Sequence, residues 1–214
     1  MVKLVKNRAV PILKYVKGKN VLEIGCVGMG KHDMIGGKNF IAGYVKPLSK
    51  KWVGIDINVE GVKKLQEYGF DARVIDAEKP FDLKQKFDVV LAEEVLEHLT
   101  NLPVFFRNIR RHLKKKGLLI ITTPNPISPS FFFQRLFGKK IKDVSINNHT
   151  FWQTHETLAN LLRRYSFEVV DMVYIHPEPA EPYLWYNFVK LIWKCVPDIF
   201  GRNLLCVARI LNYD

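Results

Sequence analysis

The feature that most constrains this chain is a series of five short apolar runs alternating with helical stretches. The runs are Asn20-Val-Leu-Glu-Ile-Gly25, Lys51-Trp-Val-Gly-Ile-Asp56, Asp71-Ala-Arg-Val-Ile-Asp76, Phe87-Asp-Val-Val-Leu-Ala92 and Gly117-Leu-Leu-Ile-Ile-Thr-Thr123. Runs this short, rich in Val, Ile and Leu, read as strands buried on both faces. The stretches between them, Val59–Tyr68, Val95–Leu99 and Pro103–Lys115, read as helices. Strand and helix in alternation imply a mainly parallel sheet covered on both sides. A chain of 214 residues suits one such domain.

The last third breaks the rhythm. Pro124-Asn-Pro-Ile-Ser-Pro129 must be a loop, because its three prolines remove backbone donors. Phe131–Phe137 reads as a short aromatic helix, His155–Tyr165 as an amphipathic helix and Glu168–Tyr174 as a strand. After the proline-containing loop Glu178–Pro182, Leu204–Leu211 reads as a final strand. The last two strands are placed to pair antiparallel, which brings the expected sheet to seven. At the other end, residues 2–16 read as a basic amphipathic helix, interrupted or restarted at Pro11.

The composition, 48% hydrophobic and 25% charged, excludes a disordered chain. Its unusual number is a net charge of +12. That charge is uneven: residues 1–19 carry +6 and residues 98–142 carry +10, while residues 20–97 and 143–214 carry −2 each. Three cysteines, Cys26, Cys195 and Cys206, are too few and scattered for a metal framework or a closed set of disulfides, so a reducing compartment is expected. No signal peptide is evident, and no stretch of about 20 apolar residues could span a bilayer. A cytoplasmic location is the expectation, with peripheral attachment to a membrane as an option.

Ligand-binding signals gather at the ends of the predicted strands. The first runs into the loop Glu23-Ile-Gly-Cys-Val-Gly-Met-Gly30, whose glycines would let backbone approach a ligand or would simply make a tight turn. Asp56 ends the second strand, where an acid can accept both hydroxyls of a ribose. Asp76 ends the third, where an acid can accept from an adenine amine, and Glu93-Glu94 follow the fourth. Open α/β sheets bind ligands at the carboxyl ends of their strands.

These residues, with Val21-Leu-Glu-Ile-Gly-Cys26, Gly54-Ile-Asp56, Asp76-Ala77, Phe87-Asp-Val-Val90, Glu94-Val-Leu-Glu-His98 and Ile120-Ile-Thr-Thr-Pro-Asn125, resemble a class I S-adenosylmethionine-dependent methyltransferase. More narrowly they resemble the methyltransferase type 11 and quinone-biosynthesis O-methyltransferase group. The resemblance runs from about Arg8 to about Val173. It implies a doubly wound, seven-stranded, mostly parallel Rossmann-like sheet with an antiparallel last strand. It also implies roles. Glu23, Gly25, Gly28 and Gly30 would surround the methionine part of S-adenosylmethionine, and Glu93 would lie near it. Asp56 would hold the ribose; Ile57, Asp76 and Ala77 would lie around the adenosine. The expected organisation is one methyltransferase domain over residues 1–214, with a basic N-terminal helix in 1–19 and acceptor-side insertions at 124–155 and 176–203.

Two departures stand out. Val27 occupies the position where family loops carry a second glycine. Gly30 to Asp56 is 26 positions, longer than the roughly 20 of a βαβ unit, so residues 31–43 are expected to form an extra loop or broken helix over the cofactor. A dehydrogenase shares the glycine loop and ribose acid, but the adenine-facing Asp76 and the long Pro124–Pro129 loop suit a methyltransferase better.

For the chemistry, the sharpest motif is Glu94-Val-Leu-Glu97-His98. In a helix these three polar side chains would share one face. Two carboxylates and an imidazole suit a divalent metal ion, with His149 as a fourth ligand. The set resembles the metal-assisted O-methyltransferases of quinone biosynthesis and the small-RNA terminal 2′-O-methyltransferases. Alternatively, Glu97 and His98 only tie the helix to neighbouring loops. Glu94, His98 and His149 are the candidate catalytic residues. Phe131, Phe132, Phe133, Trp152, Tyr183, Trp185 and Tyr186 would wall an acceptor pocket or belong to the core.

The basic stretches admit three readings: solvated helix ends, an RNA-binding surface, or attachment to an anionic membrane. The expected acceptor is an oxygen or nitrogen atom of a small or lipid-like molecule. An RNA methyltransferase and a non-catalytic S-adenosylmethionine-binding regulator are the alternatives.

Overall fold

In the computed structural model of the chain, the residues described are 2–5, 8–28, 35, 37, 40–128, 149–177 and 201–211. The expected strands form at β2 (Asn20–Ile24), β3 (Lys51–Asp56), β4 (Ala72–Val74), β5 (Phe87–Glu93), β6 (Leu113–Pro124), β7 (Phe167–Pro177) and β8 (Asn203–Ile210). An eighth strand, β1 (Val2–Val5), joins them in the order β1-β7-β8-β6-β5-β2-β3-β4. β8 runs antiparallel to both β6 and β7, and every other pairing is parallel. The mostly parallel sheet with its antiparallel last strand is therefore as the sequence implies.

The N-terminal segment corrects the expectation of one helix over residues 2–16. Val2–Val5 pairs with Tyr174–Pro177 at the sheet edge, and the helix α1 is confined to Val10–Val16. Val-Lys-Leu-Val has the period-2 pattern and β-branched content of a strand. Pro11 sits in the first turn of α1, where its missing donor costs nothing.

Among the described residues the remaining α-helices are α2 (Ile41–Val45), α3 (Val59–Glu67), α4 (Leu102–His112) and α5 (His155–Arg164). Alternate strand residues feed opposite faces. Val21 joins Ile12, Val16, Val45, Val62 and Leu65 on one side of the sheet. Leu22 joins Phe105, Phe106, Ile109, Leu158 and Leu162 on the other. Helices α1, α2 and α3 thus cover one face, and α4 and α5 cover the other, which is the doubly wound arrangement. Asn58 and Thr154 start α3 and α5 by accepting hydrogen bonds from Gly61 and Thr157, respectively.

Of the two insertions, the central part of 124–155 and nearly all of 176–203 fall outside the described residues, as do Phe131–Phe137, Tyr183, Trp185 and Tyr186.

Candidate functional site

The carboxyl ends of β2, β3, β4 and β5 bring the predicted acids to one edge of the sheet. After β2 the chain turns sharply at Gly25, at φ +77°, and the Gly25 amide donates to the Ile55 carbonyl at 2.8 Å. A Cβ at Gly25 would lie 2.4 Å from Val95 Cγ2, so both the backbone angle and the close approach require glycine. Gly28 also has a positive φ, +75°. Gly30 lies outside the described residues, and of 31–43 only 35, 37 and 40–43 are described.

Val27, the departure from the family pattern, is accommodated by a second glycine. Its buried side chain packs over Gly61 on α3, where a Cβ would come 2.2 Å from Val27 Cγ1. The bulk added to the loop is matched by bulk removed from the helix.

Asp56 fastens this loop. Its Oδ2 accepts from the Val27 amide at 3.0 Å and its Oδ1 from the Asn58 amide at 2.9 Å. Each carboxylate oxygen keeps a further lone pair for a ligand hydroxyl. Beside it Ile57 is 69% exposed, an apolar face standing in water at the edge of the sheet. Asp76 caps its own turn by accepting from the Glu78 amide at 2.9 Å, and it pairs with Lys79 at 3.3 Å. The Ala77 carbonyl accepts from Asn108 on α4 at 3.0 Å. Asn108, buried and also bonded to the Lys79 carbonyl, holds this turn in place. Sequence reading passed over it because a lone Asn inside a helix carries no local signal.

Glu23 turns into the protein. It is 3% exposed and accepts from Trp52 Nε1 at 2.7 Å. Burial pushes its carboxyl up to about 8, opposed by the Trp52 hydrogen bond.

The motif after β5 is rearranged from the expected helix. Glu94 has φ +52°, and only Leu96–His98 form a single 3-10 turn. The tight turn is pinned where the Glu94 amide donates to the Thr122 carbonyl at 3.1 Å. Glu94 therefore leaves the shared face. Its carboxylate accepts from Asn203 at 3.0 Å and lies 3.7 Å from Arg8, which also reaches Glu93 at 3.2 Å. Burial raises the Glu94 carboxyl, and the Arg8 charge opposes that shift. No motif points to Arg8 as the partner of these acids, since only the fold carries it from the N-terminal segment to the end of β5.

Glu97, His98 and His149 do converge. One ligand atom from each lies within 4.8 Å of the others. The His98 and His149 rings meet edge to face at 4.7 Å, and Trp152 packs on His149 at the same distance. Thr150 brings the distant histidine across: its amide donates to the Glu97 carbonyl at 2.8 Å and its hydroxyl to Leu99 at 2.7 Å. Glu97 is 1% exposed; its Oε2 accepts from Thr123 at 3.2 Å, while its Oε1 has no hydrogen-bond partner among the described residues. Burial, and then the nearby Glu94 charge, raise its carboxyl well above the usual range. A buried Glu97 oxygen without a hydrogen bond, in a cluster with two imidazoles, is a donor set that a divalent cation would fit. Of the four residues expected to form a metal site, three meet and Glu94 does not.

A doubly wound sheet with a glycine loop and strand-end acids along its carboxyl edge is the ligand-binding frame of the S-adenosylmethionine-dependent methyltransferases. The chain belongs to the methyltransferase domain family, whose model matches residues 3–172. It is similar to the ubiquinone biosynthesis O-methyltransferase of Rickettsia prowazekii, 26% identical over 126 residues, covering 59% of this chain and 48% of that one. The corresponding enzyme of Pelagibacter ubique is 31% identical over 126 residues, covering 56% and 48%. The chain spans about half the length of these curated relatives. Among solved structures, an S-adenosylmethionine-dependent methyltransferase from Archaeoglobus fulgidus has a TM-score of 0.64 at 20% identity, covering 94% of this chain and 91% of that one. The N-methyltransferase NodS from Bradyrhizobium japonicum, in complex with S-adenosyl-L-homocysteine, has a TM-score of 0.60 at 17% identity, covering 96% and 86%. Both share the fold.

No helix among the described residues is long and apolar enough to cross a membrane.

Proposed function

We propose that this protein transfers the methyl group of S-adenosylmethionine to a hydroxyl oxygen of a small or lipid-like acceptor, with a divalent cation held by Glu97, His98 and His149. The observation that carries this reading is the convergence of those three donors just beyond β5, next to the edge that carries the cofactor acids. The oxygen acceptor is favoured over nitrogen by the O-methyltransferase names of the relatives.

In this reading Asp56 accepts from the ribose hydroxyls, and Ile57 offers its exposed face to the adenine. Asp76 and the Ala77 backbone meet the adenine edge. Gly25, Gly28 and Gly30 let the loop backbone close on the methionyl part. Glu23 supports that loop from beneath, through Trp52. Glu93 lies near the methionyl end, held with Glu94 by Arg8, so that neither carboxylate stands alone in a half-buried place. Glu94 acts as a positioning residue for Glu97 and Asn203.

The cofactor supplies an already activated methyl group, so orienting the acceptor oxygen in line with it is much of the catalytic task. The cation would supply Lewis acidity that lowers the acceptor's pKa. In this reading His98 and His149 act by holding that cation and not as free bases, because a neutral imidazole has one basic lone pair and the metal takes it.

The test has three measurements. Calorimetry with S-adenosylmethionine should show binding that Asp56→Ala weakens about 100-fold; unchanged binding in the variant would sink the cofactor assignment. Metal analysis should find a divalent ion in the wild type and none in Glu97→Ala/His98→Ala. Tritiated-methyl transfer should label hydroxylated small molecules or lipids; label confined to RNA would replace the acceptor class.

A further inference from the structure

Among the described residues, a group of cations that the candidate site leaves unused lies at the opposite, amino edge of the sheet. Helices run back against the parallel strands, so their C-terminal ends arrive there. Arg110, Arg111, Arg163 and Arg164 sit in such last turns, where cations complement the helix dipole. Several other cations at this edge are neutralised: Arg111 and Lys84 by Asp82, Lys114 by Asp88, and Arg209 by Glu168.

Five lysines have no such explanation. Lys19, Lys50, Lys86, Lys115 and Lys116 lie in the turns and strand starts that open β2, β3, β5 and β6. All five are exposed, and their side chains make no hydrogen bond or ion pair among the described residues. The order β6-β5-β2-β3 makes these strands neighbours, and the registers Asn20↔Lys51, Val21↔Val89 and Phe87↔Leu113 bring their starts level. With strands about 4.8 Å apart, the lysines form a line roughly 15 Å long. Beyond its β3 end Tyr68 stands 59% exposed, next to a Gly69 carbonyl that accepts from Lys46 at 2.9 Å.

We propose that this lysine row binds the phosphodiester backbone of a single-stranded nucleic acid. Asp88 lies close enough to feel the Lys19 charge, but the row as a whole carries more cations than acids and repels itself; a linear polyanion relieves that repulsion while releasing its own counterions. Tyr68 provides a face on which a base stacks. A lipid surface is a poorer match. Among the described residues the large apolar side chain exposed at the row is Leu48, whose carbonyl accepts from Gly18 beside Lys19 at 2.8 Å. One leucine gives an acyl layer little to bury. Because the row and the candidate methyl-transfer site occupy opposite edges, the bound strand is a tethering ligand and not the methyl acceptor. This inference stands independently of the proposed reaction.

Fluorescence anisotropy with a labelled oligouridylate tests it. The full chain should bind with an affinity that falls as salt rises, with a log–log slope of about −3, as expected for four to five phosphate contacts. Lys86→Gln/Lys115→Gln/Lys116→Gln should weaken binding at least about tenfold and flatten the slope by about 2. Lys63→Gln/Lys64→Gln/Arg107→Gln removes the same charge elsewhere and should cost less than about twofold. Saturating S-adenosyl-L-homocysteine should leave affinity unchanged. Equal weakening by both triple variants overturns the proposal, because net charge would then be the cause. Competition by S-adenosyl-L-homocysteine overturns it too, as does binding to phosphatidylserine vesicles through these lysines without binding to the oligonucleotide.

Discussion

The two ends of one sheet are built on opposite principles. At the carboxyl edge Asp56, Asp76, Glu93, Glu94 and Glu97 gather within a few turns of chain, several of them buried or half-buried, and each is held by backbone amides, Arg8 or a neighbouring hydroxyl. At the amino edge exposed lysines stand in water with few partners. The difference lies in solvation. Charge at the carboxyl edge is partly desolvated, and burial raises the carboxyls of Glu94 and Glu97 there. Charge at the amino edge is fully hydrated, costs the fold little and acts collectively over a distance.

The largest test of that contrast is Glu23. Its carboxyl titrates near 8 in the fold instead of near 4.5, so it favours the folded state while protonated. That contribution is fully present below about pH 4.5 and is lost as pH rises through 8. Glu23→Gln should therefore be neutral near pH 4 and more stable than wild type by about 5 kcal/mol near pH 9, read from urea unfolding at both values. An equal effect at the two pH values would mean that Glu23 is hydrated like the lysines opposite.

Next comes Asp56→Ala, which should weaken S-adenosylmethionine binding by about 100-fold in calorimetry, the loss of two hydrogen bonds to a charged group. Lys115→Gln/Lys116→Gln should leave that affinity alone. If both variants weaken binding alike, the two edges are coupled and the division fails.

Glu97→Gln should lower divalent-ion-dependent methyl transfer by roughly 30-fold with no fall in Tm, since it replaces a buried carboxyl whose Oε1 the protein leaves without a hydrogen bond. A lowered Tm with intact metal dependence would make Glu97 a structural link to Thr123.

The smallest effect concerns the glycine loop. Gly61→Ala should cost about 1–2 kcal/mol because its methyl meets Val27, and Val27→Gly should recover most of that in the double variant. Additive losses would show that Val27 is not the reason for glycine at 61.

Local pattern carried far into this fold. Burial on both sides makes the strands continuous apolar runs, so β2, β3 and β5 are legible almost to the residue. β1 was misread because four residues of alternating pattern beside a helical stretch look like more helix, and their pairing partner lies about 170 residues away. The acids at the strand ends were legible because the polypeptide itself places them there. Asn108, Arg8 and the departure of Glu94 were not, since each depends on a contact made far along the chain or on one backbone angle.

What the sequence by itself determined is the frame: alternating strands and helices, a glycine turn after β2, and acids at or just past the ends of β3, β4 and β5. These are local consequences of buried runs and allowed dihedrals. Tertiary structure alone decided which of the Glu-x-x-Glu-His residues keep company. A left-handed turn at Glu94 swung one carboxylate to Arg8 and Asn203, while Thr150 carried His149 to Glu97 and His98. It also decided that lysines almost a hundred positions apart form one line, because sheet register, and not chain distance, sets which residues are neighbours.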